Sequence, residues 1–287
     1  MTSPRESTMP VLPIDNLSDP RVAHYRNIKD RELERRGQRF IAEGEFIVRR
    51  LLASSYSTES LLLADRRVPE IAPLVRDEVP IYCVPNELMN EILGLKFHSG
   101  IMACGLRKPP ATLDEVVPKQ KENLTLVICP EIANAENIGS MIRIAAAFGA
   151  DAMLLGEKCH DPFWRQSVRV SMGTIFSLPL LHSQDLRRDM RRLQTEWGVQ
   201  LAASVLDPAA EPLGAGVRPA KFGLLFGNEA QGLDEEWIAA CDRRITIPMH
   251  LGTDSLNVAV ATGIFMYHFT GGSPAALPRD LPPGKNS

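Results

Sequence analysis

Residues 124–149, LTLVICPEIANAENIGSMIRIAAAFG, contain the alternation that decides the fold. LTLVIC is a continuous apolar run with the length of a buried strand. NIGSMIRIAAAF repeats apolar residues at helical spacing until Gly149 ends the helix. A buried strand that leads directly into a helix is the repeating unit of a parallel sheet covered by helices. The stretch therefore predicts an α/β fold with a mostly parallel sheet.

The alternation continues on both sides of this stretch. Downstream, the pattern predicts four more strands and two helices, and the last helix is apolar on nearly every side. Upstream, it predicts a smaller N-terminal α/β unit. The downstream strands are AMLLG, VQLAASV, FGLLFG and RITIPM, and the helices are LRRDMRRLQTEW and LNVAVATGIFMYHF. The upstream helices are EGEFIVRRLLAS, EIAPLVRDE and NELMNEILG, and the strands are SLLLAD, PIYCVP and GIMACGL.

Proline-rich segments without periodicity separate these units. We therefore expect two domains, joined by a linker and flanked by loose ends. The expected parts are a flexible arm over 1–20, an N-terminal α/β domain over 21–108, a linker over 109–123, a second domain over 124–270 and a disordered tail over 271–287.

Composition excludes several classes of protein. The chain has 287 residues, of which 44% are hydrophobic and 23% charged, as in a soluble globular protein. No apolar run reaches the roughly 18 residues of a membrane span, and the N-terminus lacks the apolar core of a secretory signal. Five cysteines without a CxxC spacing favour reduced thiols and a cytoplasmic location. The adjacent Cys159 and His160 make a poor metal site by themselves, so we expect no metal.

The arginines are distributed unevenly. The net charge is −3, which does not indicate a protein that binds nucleic acid over its whole surface. Arginines cluster between residues 21 and 50 and again in DLRRDMRRL, where Arg187, Arg188, Arg191 and Arg192 share one helix face. Such clusters either keep a surface solvated or contact phosphates.

The last helix begins with polar residues. Ser255 can cap it, and Asn257 would be a buried amide that needs hydrogen-bond partners. We expect both residues to cap the helix and to line a site at its start. A helix that is apolar all round must be covered on every side, either within its own domain or by a second subunit.

The common nucleotide and catalytic signatures are missing: no GxxxxGK[ST], GxGxxG, GxSxG or HExxH occurs. Three polar segments remain, each at the end of a strand where open α/β sheets bind ligands. They are 137–143, 225–232 and 247–257. In the first, Gly139 and Ser140 allow a close backbone approach, and Arg143 lies on the same face as Gly139, within reach of an anion at the helix start.

NIGSMIR, LLFGNEAQG and IPMHLGTDSLNVAVA resemble, in order and spacing, the three signature motifs of the SpoU/TrmH family of RNA 2′-O-ribose methyltransferases. DPFWRQSVRVSMGTIFSLP resembles the family's connecting stretch, with Ser171 and Gly173 in place. FIAEGEFIVRRLL is similar, more loosely, to the family's RNA substrate-binding domain. The chain departs from the family at Asn134 and Ala135, where Asp-Pro is common, and at Ala259, where serine is common.

The resemblance implies that the C-terminal domain forms a trefoil knot of the SPOUT type and binds S-adenosyl-L-methionine there. It also implies a homodimer through the C-terminal helix, with the active site at the subunit interface, and no membrane. By position, the residues expected to bind the cofactor are Ser204, Gly227, Asn228, Ile247, Met249 and Leu256.

By the same resemblance, Arg143 is the catalytic arginine, and we expect it to bind the target phosphate and orient the ribose. Asn137, Ser255 and Asn257 would hold the hydroxyl and its loop, and Glu229 would order the second motif. Proton removal passes either to the phosphate or to a perturbed Arg143.

The implied substrate is structured ribosomal or transfer RNA. Two other interpretations stay open: a non-catalytic RNA-binding paralogue, and a hydrolase that uses Ser255 as nucleophile, for which no elbow or base is evident. The candidate RNA-binding residues are Arg26, Arg35, Arg36, Arg39, Arg165 and Arg169.

Overall fold

The computed structural model describes residues 11–26, 33, 38–93, 98–250 and 255–271. Its N-terminal sheet has five strands in the order β1-β4-β3-β5-β2. β5 runs antiparallel to both of its neighbours, and the other pairs are parallel. The strands are β1 (Val11–Pro13), β2 (Arg39–Glu43), β3 (Thr58–Ala64), β4 (Ile81–Val84) and β5 (Ile101–Leu106).

Helices cover this sheet, with one difference from the prediction. EIAPLVRDE does not form one helix, because Pro73 lacks the N–H that an α-helix needs and clashes with the preceding turn. The chain instead makes one short α-helix and a 3₁₀ turn, Ala72–Leu74. The helices are α1 (Glu45–Leu52), α2 (Val68–Ile71) and α3 (Asn86–Leu93).

The prediction of a flexible arm over 1–20 is wrong from residue 11 onward, where the chain forms regular structure. Val11 pairs with Ile81, so β1 is an edge strand of the sheet. Asp19 then accepts a hydrogen bond from the backbone N–H of Arg21 and caps a 3₁₀ helix, Pro20–Tyr25. A three-residue strand next to prolines lacks the alternation that sequence reasoning depends on.

The second sheet has seven strands in the order β10-β12-β9-β11-β6-β7-β8, and every pair is parallel. This confirms the α/β fold with a mostly parallel sheet. The trefoil knot stays a prediction, with which this strand order is compatible. The strands are β6 (Leu124–Cys129), β7 (Ala152–Leu155), β8 (Leu180–His182), β9 (Gln200–Ser204), β10 (Glu211–Pro212), β11 (Lys221–Leu225) and β12 (Arg243–Thr246).

The helices of this half include a packed one inside the expected linker. There, Thr112 and Glu115 form a capping box, and Leu113 and Val116 are buried against the second sheet. The linker is therefore partly structured rather than loose. The helices are α4 (Leu113–Val116), α5 (Ala135–Ala147), α6 (Arg165–Val170), α7 (Leu186–Arg192), α8 (Glu235–Ala239) and α9 (Val258–Thr270).

The two sheets share one hydrophobic core rather than forming separate bodies. At their junction the ring of Phe40 in β2 lies 5.2 Å from Phe163 and 5.4 Å from Phe176, both from the second half. Arg107 and Asp161 form an ion pair of 2.6 Å across the same boundary. The N-terminal half is thus docked firmly on the second half.

Three further expectations concern membrane-spanning helices, disulfides and metal sites. No helix in the described part of the chain is long and apolar enough to cross a membrane. All five cysteines are free, and burial raises the pKa of the Cys159 thiol to about 11. That thiol donates to the carbonyl of Cys129, so its role is structural. Within the described residues, no group of three or more candidate ligands could hold a metal ion.

Candidate functional site

A cavity of about 490 Å³ opens at the carboxyl ends of β9, β11 and β12, beside the start of α9. Open α/β sheets bind ligands in this position. We call it the strand-end cavity. Its lining includes every residue expected to bind the cofactor: Ser204, Gly227, Asn228, Ile247, Met249 and Leu256.

The apolar side of this cavity comes from Phe226, which lies in the predicted segment 225–232, and from Phe265, which the sequence did not single out. Phe226 and Phe265 line it, with ring centroids 5.6 Å apart and planes at 89°. Leu206 and Gln231 also line it. Phe226 continues the alternation of buried Phe222 and Leu224 one residue beyond the end of β11, and this alternation could have identified it. The arrangement suits a flat apolar group flanked by polar edges.

The turn after β11 is closed on itself. Asn228 and Gly232 exchange two backbone hydrogen bonds of 2.8 and 2.9 Å, and the Asn228 side chain accepts one from the N–H of Ala230. A Cβ on Gly227 would lie 2.2 Å from the Gly232 carbonyl carbon, so only glycine fits. Several of the backbone groups expected to face a ligand are therefore paired within the turn. The turn presents a rigid edge to the cavity.

A chain of side-chain hydrogen bonds joins the three predicted segments. The Asn257 Nδ2 donates to Asn137 Oδ1 at 2.9 Å, and the Asn137 Nδ2 donates to Glu229 Oε1 at 2.9 Å. Asn137 is buried, with 9% of its surface exposed, so its amide needs both partners. We call these three residues the amide relay. It locks together pieces of chain that are 92 and 120 residues apart.

Glu229 anchors one end of the amide relay to the loop before α5. Its carboxylate accepts hydrogen bonds from the backbone N–H groups of Ala133 at 3.3 Å and Asn134 at 3.1 Å. Partial burial opposes ionisation, but the hydrogen bonds from Asn137 and from backbone N–H groups outweigh it and lower the pKa of Glu229. The carboxylate is therefore ionised at neutral pH and acts as an acceptor.

Asn134 replaces the aspartate that is common in the family at this position. It is the N-cap of α5, and its side-chain oxygen accepts from the N–H groups of Glu136 at 2.7 Å and Asn137 at 3.2 Å. The substitution thus keeps the cap, because asparagine and aspartate cap helices about equally well.

The two polar residues before α9 have different roles. Asn257 is the N-cap, and its oxygen accepts from the N–H groups of Ala259 at 2.9 Å and Val260 at 3.3 Å. The expectation that Ser255 caps this helix is therefore wrong. Ser255 is exposed, lines the strand-end cavity, and makes no hydrogen bond to a described residue. Its hydroxyl is available to a ligand, whereas the Asn257 amide is committed to structure.

Arg143 lies outside the strand-end cavity, unlike the other four expected catalytic residues. A helix turns about 100° per residue, so six positions place Arg143 roughly 240° from Asn137 and ~9 Å along the axis. It is exposed and makes no hydrogen bond or ion pair with a described residue. It lines instead a second cavity of about 880 Å³, which we call the junction groove, with Phe46, Arg50, Met172, Gly173 and Phe176.

Most of the arginines expected to bind RNA have partners within the chain. Arg39 donates to Glu59 at 2.6 Å, and Arg165 pairs with Glu43 at 3.1 Å across the junction of the two halves. These two arginines join separate parts of the chain, and their contact with RNA stays a prediction. Arg26 donates to the Asp19 carbonyl at 3.3 Å, and the exposed Arg169 donates to Gln166 at 2.6 Å. Arg35 and Arg36 lie outside the described residues.

The α7 arginines are also largely compensated. Arg187 pairs with Glu236 and lies over the ring of Trp237, and Arg192 contacts Asp114 at 2.9 Å and Glu196 at 2.7 Å. For these two residues the structure favours a solvated, ion-paired helix surface over phosphate contact.

Comparisons with known proteins match this geometry. Residues 124–267 match the model of the SpoU rRNA Methylase family. An uncharacterized tRNA/rRNA methyltransferase of Mycobacterium bovis is 33% identical over 260 residues, which cover 88% of this chain and 89% of the relative. The 23S rRNA (guanosine(2553)-2′-O)-methyltransferase of Bacillus subtilis is 26% identical, over 90% of this chain and 99% of the relative.

A solved structure extends the likeness to both halves. The AdoMet-bound rRNA methyltransferase from Sinorhizobium meliloti has a TM-score of 0.76 and 25% identity, and the match covers 90% of this chain and 97% of that one. The match therefore includes the N-terminal sheet as well as the seven-stranded sheet.

Proposed function

Because the chain belongs to the SpoU rRNA methylase family, an RNA methyltransferase family, we propose that it transfers a methyl group from S-adenosyl-L-methionine to a ribose 2′-hydroxyl of ribosomal or transfer RNA. One observation carries the proposal: the amide relay joins all three motif segments at the rim of the strand-end cavity. The 2′-O relative of Bacillus subtilis and the AdoMet-bound neighbour support the choice of acceptor and methyl donor.

The residues of the strand-end cavity fit the methyl donor. Phe226 and Phe265 supply an apolar wall for a flat base, and the closed turn after Gly227 gives the cavity a rigid edge. Ser204, Asn228, Ile247, Met249 and Leu256 would hold the rest of the group. When bound, S-adenosyl-L-methionine supplies a sulfonium methyl that a nucleophile can accept.

The protein's own residues then hold the acceptor. The free hydroxyl of Ser255 would bind the ribose hydroxyl or its neighbour, and the amide relay would keep the rim of the cavity in one geometry. Such positioning matters because a 2′-hydroxyl is a weak nucleophile that must be aligned with the methyl. Arg143 would bind the target phosphate and orient the ribose.

A second copy of the chain would bring Arg143 into use. One stripe of α9 and its approach is apolar and exposed: Leu256 by 37%, Val260 by 52%, Ile264 by 37% and Tyr267 by 68%. Positions four and three apart lie on one helix face. We take this face as a homodimer interface. The Arg143 guanidinium, which lies outside the strand-end cavity of its own chain, would then contribute to a site formed by both copies. Five free thiols suit a cytoplasmic location.

The test is an Arg143→Ala variant. Methyl transfer should fall at least 100-fold, as for loss of an oriented charge contact, while the Kd for S-adenosyl-L-methionine stays at the wild-type value, because Arg143 does not line the cavity. Calorimetric titration and incorporation of labelled methyl into RNA measure the two quantities. Wild-type turnover would refute the assignment.

Mixing variants tests whether the site is shared. Protomers with Arg143→Ala and protomers with Ser255→Ala should be inactive alone and regain part of the activity after they are unfolded and refolded together. No recovery in mixed dimers would mean that both residues act within one chain.

The position of Arg143 outside the cavity also supports a second candidate, a non-catalytic RNA-binding paralogue. It predicts no binding of S-adenosyl-L-methionine, and the same titration decides between the two.

A further inference from the structure

The junction groove lies where the two sheets meet, and the amide relay does not reach it. Phe46 and Arg50 come from α1 of the N-terminal half, Arg143 comes from α5, and Met172 and Gly173 follow α6. Its volume of about 880 Å³ lies within the ~300–1,000 Å³ of sites that bind small ligands. It is large enough to hold part of a bound molecule.

Phe46 gives the junction groove a bare aromatic surface. Its side chain is 66% exposed, whereas the next two residues, Ile47 and Val48, are 4% and 0% exposed. The helix therefore already has its buried face, and Phe46 is not needed for it. An exposed ring in a concave, partly apolar site is the platform on which an unstacked nucleobase packs.

The charge of the junction groove suits an anion. Arg50 donates one hydrogen bond, from Nη1 to the Met172 carbonyl at 2.6 Å, which holds its guanidinium at the wall. It makes no other hydrogen bond to a described residue, and Arg143 makes none. Among the described residues that line the groove, none is acidic. Two guanidinium groups with unused donors are the usual partners of phosphate oxygens.

Close contacts fix the wall of the junction groove in one conformation. Met172 and Gly173 both have left-handed backbone angles, with φ of 53° and 80°. A Cβ on Gly173 would lie 3.1 Å from Arg50 Cδ, so the α1 side chain presses directly on this turn. Phe176 is buried beneath and stacks on Phe40. Arg50 is thus fixed by the same contacts that join the two halves.

We propose that the junction groove binds an unstacked nucleotide of the substrate RNA beside the methylation target, with its base on Phe46 and backbone phosphates at Arg50 and Arg143. The inference rests on the proposed function, and it adds a substrate class: RNA that is single-stranded or looped at this point, rather than a continuous duplex. A duplex keeps its bases stacked on one another, so none is available to Phe46.

Binding of a fluorescein-labelled single-stranded RNA of mixed sequence, followed by anisotropy, tests this. Phe46→Leu keeps the apolar bulk but removes the aromatic face, so the Kd should rise roughly 5- to 150-fold. Phe46→Trp should bind at least as tightly as wild type. Leu74→Ala, at a residue that is 45% exposed in the same half, is the matched control and should leave Kd unchanged.

The charge contact has its own readout. For Arg50→Gln, the slope of log K against log salt should become shallower by about 0.7, the value for one phosphate of a single strand. Arg76→Gln, at an exposed arginine of the same half, should leave the slope unchanged.

Three outcomes would overturn the inference. The first is wild-type Kd for Phe46→Leu. The second is equal affinity of the wild type for the single strand and for a duplex of the same length. The third is a change in sedimentation, rather than in RNA affinity, for Phe46→Leu, because the groove would then be an interface between two copies. Failure of the proposed function is distinct: the wild type would methylate no ribose, while RNA binding still depended on Phe46.

Discussion

Replacing one amide nitrogen of the amide relay by oxygen should separate its hydrogen bonds from its shape. In Asn137→Asp, one carboxylate oxygen can still accept from the Asn257 Nδ2, but the other replaces a donor that lies 2.9 Å from Glu229 Oε1. The variant loses a hydrogen bond to a charged acceptor, about 1.5–3 kcal/mol. It gains a repulsion of about 1 kcal/mol at solvent-screened separation, because Glu229 is exposed.

Together these effects amount to about 2–4 kcal/mol, which corresponds to a rise of 30-fold or more in the Kd for S-adenosyl-L-methionine. The cofactor is held only while the amide relay keeps the rim of the cavity closed, so the free energy lost in the relay appears in the Kd. Calorimetric titration measures the affinity, and thermal unfolding shows whether the loss is confined to the site.

A second substitution should restore part of the loss. In Asn137→Asp combined with Glu229→Gln, the new amide at 229 can donate to the carboxylate at 137, so the hydrogen bond returns with its direction reversed. We expect a coupling free energy of about 1–3 kcal/mol in the double-mutant cycle. A matched cycle of Asn16→Asp with Glu229→Gln should be additive within ~0.5 kcal/mol, since Asn16 follows the edge strand of the N-terminal sheet and shares no partner with that carboxylate. Additivity in the first cycle as well would refute the relay as the link between the motifs.

Three other predictions follow from the same geometry. Gly227→Ala should cost about 1–3 kcal/mol of overpacking against Gly232, so cofactor binding should be lost with a lowered Tm; an unchanged Kd would count against it. The pKa of Glu229 is lowered in the folded protein, so its ionisation stabilises the fold fully above the ordinary carboxyl pKa of about 4.3. This stabilisation is lost as the pH falls through the pKa of Glu229 in the folded state. Acid denaturation should therefore show this loss in the wild type and not in Glu229→Gln. Tyr267→Lys and Ile264→Lys should sediment as folded monomers, since both side chains are exposed on α9; an unchanged sedimentation coefficient would argue against that interface.

The parts of the site that lie at strand ends could be predicted from the sequence. Parallel strands place their carboxyl ends at one edge, so polar residues after β9, β11 and β12 had to meet. The pattern alone therefore placed the segments 225–232 and 247–257 at strand ends, and both line one cavity. Ser204 in the same cavity was expected from the family resemblance. Asn257 was expected to be a buried amide that needs partners; it is exposed, but its side chain has those partners.

Two features of the site could not be predicted from the sequence: the direction in which each residue of α5 points, and the ion-pair partners of the arginines. Arg143 and Asn137 belong to one motif, yet the turn of α5 points them to different cavities, which a motif alone does not reveal. Arg39 and Arg165 were assigned to the RNA-binding surface without knowledge of their ion-pair partners, Glu59 and Glu43, because only the folded chain brings those pairs together. Proline-rich composition suggested looseness at Val11 and Leu113, where short elements are nevertheless packed.

The shared core between the two sheets has a consequence for how the molecule melts and how it could be cut. Because Phe40, Phe163 and Phe176 are packed in one cluster, a calorimeter should record a single endotherm rather than one for each half. A fragment that starts at residue 124 would lack the ring of Phe40. Phe163 and Phe176 would then form an exposed apolar patch, which favours aggregation. Replacing the N-terminal half by another domain would therefore require new residues at the contact between the two sheets.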